Sequence, residues 1–268
     1  MAEKFYGLTN DVAFKMAFAE HNDLLRMFIS DMLDIPREDL KEVVVENPEI
    51  VPDEVDGKYS RMDIRANIGN EIVNIEMQCE SEQGYEKRVM YYWSGIYHNQ
   101  LKKGEQYSSL KKTISMNILA YTKFPWHDDY HSKYELVDRE HGHVIGDLLE
   151  LHFFEISKAL KGKCNDKKHK WLKFISTSNP QELEDFKNAN DDDFVEEGVK
   201  IVNTINADTR FKEIIQMIED SEHERAHYID MAERRGREAG HRERDNELIK
   251  IWKRKGFTDE QIKELLGN

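Results

Sequence analysis

The segment Arg61–Gln78, RMDIRANIGNEIVNIEMQ, carries the alternation that decides the fold. Apolar residues stand at Met62, Ile64, Ala66 and Ile68, and after Gly69-Asn70 at Val73, Ile75 and Met77. Period-two alternation on both sides of a Gly-Asn dipeptide is the signature of a β-hairpin with a two-residue turn. With that turn, Met62, Ile64 and Ala66 face Met77, Ile75 and Val73. The other face then pairs Asp63 with Glu76, Arg61 with Gln78 and Arg65 with Asn74. A slip of one residue would mix the two faces, so the pattern fixes the register.

This register sets two carboxylates opposite each other, with Cβ atoms roughly 4.5–5.5 Å apart. Like charges so placed repel by about 1 to 4 kcal/mol in a wet environment. Geometry alone leaves two compensations open. A divalent cation such as Mg²⁺ is held by one or two carboxylates, its remaining positions left to water and phosphate. Alternatively, Arg61 and Arg65, diagonal to the acids, neutralise an exposed charged face.

Asp63, followed after twelve residues by Glu76-Met77-Gln78, resembles the Asp…Glu-x-Lys core of the PD-(D/E)XK nucleases, with Gln in the place of Lys. The flanks are more closely similar to the Rpn family, the recombination-promoting nucleases also labelled transposases. The matching pieces are Asp11-Val-Ala-Phe-Lys15, Lys58 with Asp63, Ile75-Glu-Met-Gln78, Arg88-Val-Met-Tyr-Tyr92, Gly104-Glu-Gln-Tyr107 and Leu151-His-Phe-Phe-Glu-Ile-Ser-Lys158. This resemblance implies an α/β fold: a restriction-endonuclease-like core with a central mixed sheet flanked by helices. It implies a Mg²⁺-dependent DNA endonuclease, with Mn²⁺ as a substitute, acting in recombination or transposition. Asp63, Glu76 and the Met77 carbonyl would hold the metal. Gln78 would orient water or phosphate, but it lacks the charge of lysine. Lys58 would stabilise negative charge on phosphorus, unless it is an ordinary surface lysine. Asp11 would help position metal or water, unless it is simply an N-terminal helix acid. Glu155 is assigned to the polar cluster on the family pattern alone. A non-catalytic DNA-binding or oligomeric scaffold on the same core is the alternative.

Composition bounds these readings. The chain has 268 residues, 39% hydrophobic and 34% charged, with two cysteines and a net charge of −14. No apolar run is long enough for a membrane span, and two cysteines make neither a disulfide framework nor a zinc set. The N-terminus lacks an apolar signal core, so a cytoplasmic protein is expected. The acidity argues against a basic coat for nucleic acid but leaves room for a local basic groove. Between Glu155 and Ile175 seven lysines oppose one Glu and one Asp; between Gln181 and Lys200 eight acids oppose two lysines. Lys167, Lys168 and Lys170, with Trp171 and Phe174 interleaved, are expected DNA contacts unless they form an ordinary helix with a basic face and two core aromatics; Arg61 of the hairpin and Arg88 of the aromatic helix are further expected contacts.

The remaining pattern sets the organisation. Helices are expected from Asp11 behind an Asn10 cap, and over Leu24–Leu33, stopped by Ile35-Pro36. A strand is expected at 41–46 and a loop at 47–58. A long aromatic helix should span 83–103 and end at Gly104, packed across the sheet with Arg88 near the active face and its aromatics mainly core. Strands are expected at 113–121, 134–139 and 151–156, and His141-Gly-His143 reads as a turn rather than a metal pair. Three regions follow: a nuclease-like core over 1–176, a helical region over 177–232, and over 233–268 a charged helix with a terminal helical hairpin. In that hairpin Thr258 and Gln261 have capping-box spacing, and the C-terminal helices are a candidate homodimer contact.

Overall fold

The computed structural model describes residues 4–40, 43–46, 63–162 and 164–266, and the backbone alone of 54–55 and 58–59. A mixed six-stranded sheet forms the centre. Its strands are β1 (Val43–Val45), β4 (Ile64–Ile68), β5 (Glu71–Gln78), β6 (Lys112–Leu119), β8 (Leu149–Glu155) and β7 (His131–Tyr134), in that spatial order. The strand pairs β1–β4, β4–β5 and β8–β7 run antiparallel, whereas β5–β6 and β6–β8 run parallel. Two further strands, β2 (Glu54–Val55) and β3 (Lys58–Tyr59), pair with each other, β2 within and β3 at the end of the stretch expected to be loop.

The β4–β5 hairpin has the register that its alternation dictates. Ile64 pairs with Ile75, Arg65 with Asn74, Ala66 with Val73, and Ile68 with Glu71 across the Gly69-Asn70 turn. Gly69 takes φ +57° there, the left-handed value that a tight hairpin turn demands and that glycine adopts without a Cβ penalty. Ile64, Ala66, Val73 and Ile75 are fully buried.

Helices cover both faces. The helices α1 (Asp11–Ala19) and α2 (Asn22–Leu33) pack against each other and against β4 and β1 respectively. A short α4 (Ile156–Ala159) leads to α5 (Lys167–Ile175), which packs on α2, while α6 (Pro180–Ala189) and α7 (Val195–Ala207) join the same layer. Here Phe18, Phe28 and Trp171 form a ring cluster, with Phe194 stacked on Trp171 at 3.7 Å. The other face carries α3 (Tyr85–His98), fixed to β6 by two side chains. The Tyr85 hydroxyl donates to Asn117 Oδ1 at 3.1 Å, and Trp93 Nε1 donates to the Thr113 carbonyl at 2.8 Å. Tyr85, Val89, Leu119, Phe124 and Phe153 make the core beneath it.

Several expected boundaries move. α2 stops at Asp34, which takes φ +56° and returns its N–H to the Ser30 carbonyl, before proline acts. α3 ends at His98, five residues earlier than expected, and Gly104 lies in the turn beyond it. The strand expected at 134–139 lies at His131–Tyr134, because pairing with β8 places Tyr134 opposite Leu151; downstream, Val137 and Val144 make a single bridge. Between them His141 Nδ1 donates to the Asp138 carboxylate within the expected turn.

The described chain divides into two compact units, residues 1–212 and 213–268. The second consists of most of α8 (Thr209–Arg254) and α9 (Asp259–Leu266), with α8 unbroken across residue 232. α9 opens on the expected capping box: Gln261 N–H donates to Thr258 Oγ1 at 3.3 Å and Thr258 N–H to Gln261 Oε1 at 3.0 Å. Among the described residues no helix is long and apolar enough to cross a membrane.

Candidate active site

Alternation in β5 turns Asn74, Glu76 and Gln78 to the α3 side, because residues two apart share a sheet face. Arg65 stands opposite Asn74, and the same register brings Asp63, one residue before β4, level with Glu76. Asp63, Arg65, Asn74 and Glu76 line a cleft of about 540 Å³, closed on its other side by α3 through Tyr91, Tyr92 and Gly95. The two acids are thus brought together, as the hairpin requires.

Their environments differ. Burial pushes the Asp63 carboxyl above its ordinary range, with Arg65 and Lys15 pulling it back. Glu76 is buried and paired: Arg88 Nη2 donates to its Oε1 at 2.7 Å. The same nitrogen donates to Gln78 Oε1 at 3.0 Å, and Arg88 Nη1 pairs with Glu82. Gln78 Nε2 in turn donates to the Glu80 carbonyl at 2.8 Å. Arg88, expected to face DNA, is thereby fastened to one of the two acids.

The donor set fits a hard divalent cation. Mg²⁺ takes oxygen ligands, one or two of them carboxylates, and keeps several waters; Asp63 and Glu76 supply the carboxylates. Asn74 Oδ1 lies buried in the same cleft with no hydrogen-bond partner among the described residues, so it can serve as a neutral oxygen toward an ion or its bound water. Gln78's carbonyl accepts from Ala120 N–H on the β6 side at 3.0 Å. Successive carbonyls of a strand point to opposite edges, so Met77's carbonyl is directed to the β4 side, where Asp63 lies. No cluster of three or more His, Cys, Asp or Glu residues suited to a metal occurs among the described residues, so any ion here would rest on two acids and neutral oxygens.

Lys15 is the residue that the sequence reading left out of the site. It sits in α1 and is only 5% exposed, close enough to Asp63 to lower its carboxyl. The available signal was a lysine inside the otherwise apolar run Val12–Ala19. Asp11 is the first residue of α1, exposed, behind an Asn10 side chain that accepts from Ala13 N–H at 3.0 Å. It lies near the end of β5: burial, then Asp11 and Glu80, raise the neighbouring Cys79 thiol to about 11. Asp11 is not among the residues that line the cleft. Arg61 and the side chain of Lys58 lie outside the described residues.

The three α5 lysines expected to meet DNA lie elsewhere and are paired with acids. Lys167 pairs with Asp31 at 3.1 Å, Lys168 with Asp34, and Lys170 with Asp192 at 2.6 Å. Trp171 and Phe174 are fully buried, so they are core rather than stacking platforms. Glu155 also serves packing. Its Oε1 accepts from the Lys123 and Phe124 N–H groups at 2.5 and 3.1 Å, and its Oε2 pairs with Lys158 at 2.7 Å.

No curated protein and no solved structure matches the chain. The model of the PD-(D/E)XK nuclease family transposases matches residues 8–232 of 268, a stretch that holds α1, the whole sheet and both cleft acids. With most of its length so matched, and with a mixed sheet that brings Asp63, just before β4, level with Glu76 of β5, the chain belongs to the PD-(D/E)XK nuclease family of transposases.

Proposed function

We propose that this protein is a Mg²⁺-dependent DNA endonuclease whose centre is the cleft shared by Asp63 and Glu76. The observation that carries this reading is the convergence of both acids with the unpartnered Asn74 Oδ1 in one cleft. Asp63, Glu76 and the Met77 carbonyl are the proposed holders of the metal. When bound, Mg²⁺ polarises the scissile phosphate and lowers the pKa of an attacking water.

The chain's own residues set the charge around that centre. Gln78, in the place of the superfamily lysine, brings no cation itself but holds the Arg88 guanidinium through its Oε1. Gln78 is therefore a positioning residue, and Arg88 and Lys15 supply the fixed positive charge. Cations preorganised in a partly dry cleft stabilise the charge that develops on phosphorus. The products are nicked or broken DNA strands, the substrate of recombination or transposition.

One observation favours the non-catalytic alternative, a DNA-binding scaffold: Arg88 already occupies Glu76 Oε1. Nicking of supercoiled plasmid separates the two. The nuclease nicks only with Mg²⁺ or Mn²⁺, and Asp63→Ala or Glu76→Ala abolishes nicking. A scaffold shows no cleavage under any metal, and equal nicking by both variants removes these acids from the mechanism.

A further inference from the structure

The wall of the acid cleft opposite the carboxylates is built from groups that a purely electrostatic metal site does not need. Tyr91 is 74% and Tyr92 46% exposed, their rings edge to face at 5.9 Å, and both line the cleft. The other aromatics of α3 behave differently: Tyr85 is fully buried, and Trp93 stacks on Tyr97 at 5.1 Å beside the sheet. Large aromatic surface left in water beside a polar centre is a site for a flat apolar partner.

Gly95 gives a second, independent indication. It lies in the middle of α3 and lines the same cleft, yet a Cβ there would meet nothing within 4 Å. Packing therefore does not exclude a side chain, although glycine weakens a helix interior relative to alanine. What its absence preserves is the open space of the cleft. That space, about 540 Å³, falls in the range of about 300–1,000 Å³ that holds one small ligand. It is the size for one nucleotide. Lys167, Lys168 and Lys170 of α5 are tied to acids and the chain carries −14 overall, so affinity for a strand here draws on base stacking as well as on phosphate contacts.

We infer that the cleft takes one unpaired nucleotide, its base stacked on one ring of the Tyr91–Tyr92 pair with its edge against the other, and its phosphate turned to the Asp63/Glu76 side. The substrate class is accordingly single-stranded or locally melted DNA. This inference rests on the nuclease reading and adds to it what the centre selects.

The test uses the full chain and a short single strand carrying 2-aminopurine, with the blunt duplex of the same sequence, titrated with Ca²⁺ in place of Mg²⁺ so that the carboxylates are neutralised, and with the DNA checked on a gel so that binding is read apart from cleavage. Wild type should bind the single strand more tightly than the duplex and quench the 2-aminopurine. The Tyr91→Ala/Tyr92→Ala variant should lose about tenfold or more in single-strand affinity, together with the quench. Gly95→Trp, which fills the cleft and leaves both tyrosines, should lose single-strand binding as well. Equal wild-type affinity for the two DNAs, or unchanged binding by the tyrosine variant, overturns the inference. The two readings fail separately. Metal-dependent plasmid nicking that survives loss of both tyrosines removes the stacking and keeps the nuclease. Tyrosine-dependent strand binding, with no cleavage of any DNA under Mg²⁺, removes the nuclease and keeps the binding cleft.

Discussion

The guanidinium of Arg88 joins Glu76 to Gln78 across the gap between α3 and β5, with one nitrogen 2.7 Å from Glu76 Oε1 and 3.0 Å from Gln78 Oε1. This contact explains how a centre with Gln in the superfamily's lysine position still holds a cation. It also sets up a competition, because metal and guanidinium both seek the Glu76 carboxylate.

That competition has a thermal signature. Arg88→Met removes one partner of a largely buried pair, which costs about 3–5 kcal/mol when the other charge is stranded. Metal can replace the missing cation. In thermal unfolding the variant should melt below wild type without metal, and Mg²⁺ should raise its Tm more than it raises the wild type's. Equal shifts in the two proteins would separate Glu76 from metal binding.

Asp63 makes a prediction about pH. Burial raises its carboxyl in the folded protein despite Arg65 and Lys15. A raised folded pKa means that the folded state holds the proton more tightly, so the stabilising contribution is complete below the unfolded carboxylate range and is lost as pH rises through the folded value. At neutral pH the ionised group is therefore a burden, as functional groups often are. Asp63→Asn should raise Tm at pH 7 by roughly 2–4 °C for each kcal/mol relieved, with the gain vanishing near pH 4. A variant that melts lower at pH 7 would show that Asp63 is satisfied by its cations.

Glu155 and Lys158 are predicted to matter for folding. Their ion pair is buried, at 0% and 8% side-chain exposure, and it pins the turn at Lys123–Phe124. Glu155→Leu strands the lysine and should cost about 3–5 kcal/mol in urea unfolding. The Lys158→Met/Glu155→Leu double variant should recover part of that loss. A single variant as stable as wild type would free this pair for another role.

What the sequence made legible follows from the range of the interactions involved. The β4–β5 register and the Thr258/Gln261 capping box are local, set by residues a few positions apart, and both could be read directly. Lys15 acts on Asp63 from α1, and nothing in the spacing shows where that helix docks; the aromatic stripe of α3 did place Arg88 near the active face, but not its bond to Glu76. The lysines of α5 form a dense basic run in sequence, yet Asp31, Asp34 and Asp192 arrive from distant segments to pair with them. Aromatic spacing along α3 likewise could not tell buried Tyr85 from exposed Tyr91, because the sheet fixes which side of the helix is covered.

At the far edge of the sheet, His131 and His152 ring nitrogens lie 3.0 Å apart, and His152 in turn contacts Glu150. Burial, reinforced by His152 and nearby lysines, depresses His131 to about 4. The folded state thus keeps this ring neutral where the unfolded chain would protonate it. Its contribution is complete above about pH 6.5 and is lost as pH falls toward 4, at a rate of at most about 1.4 kcal/mol per pH unit. His131→Phe should flatten the fall of stability between pH 6.5 and 4 in urea titrations. An unchanged slope would assign the acid sensitivity to other groups.

The central claim is that Asp63 and Glu76 share a cation, and anomalous scattering from a crystal soaked in Mn²⁺ tests it most directly. The account predicts a single strong peak between the two carboxylates, with ligand distances of roughly 2.0–2.2 Å, and Arg88 withdrawn from Glu76 Oε1. A density map with no peak there, and with Arg88 still bonded to Glu76 at saturating Mn²⁺, would contradict it.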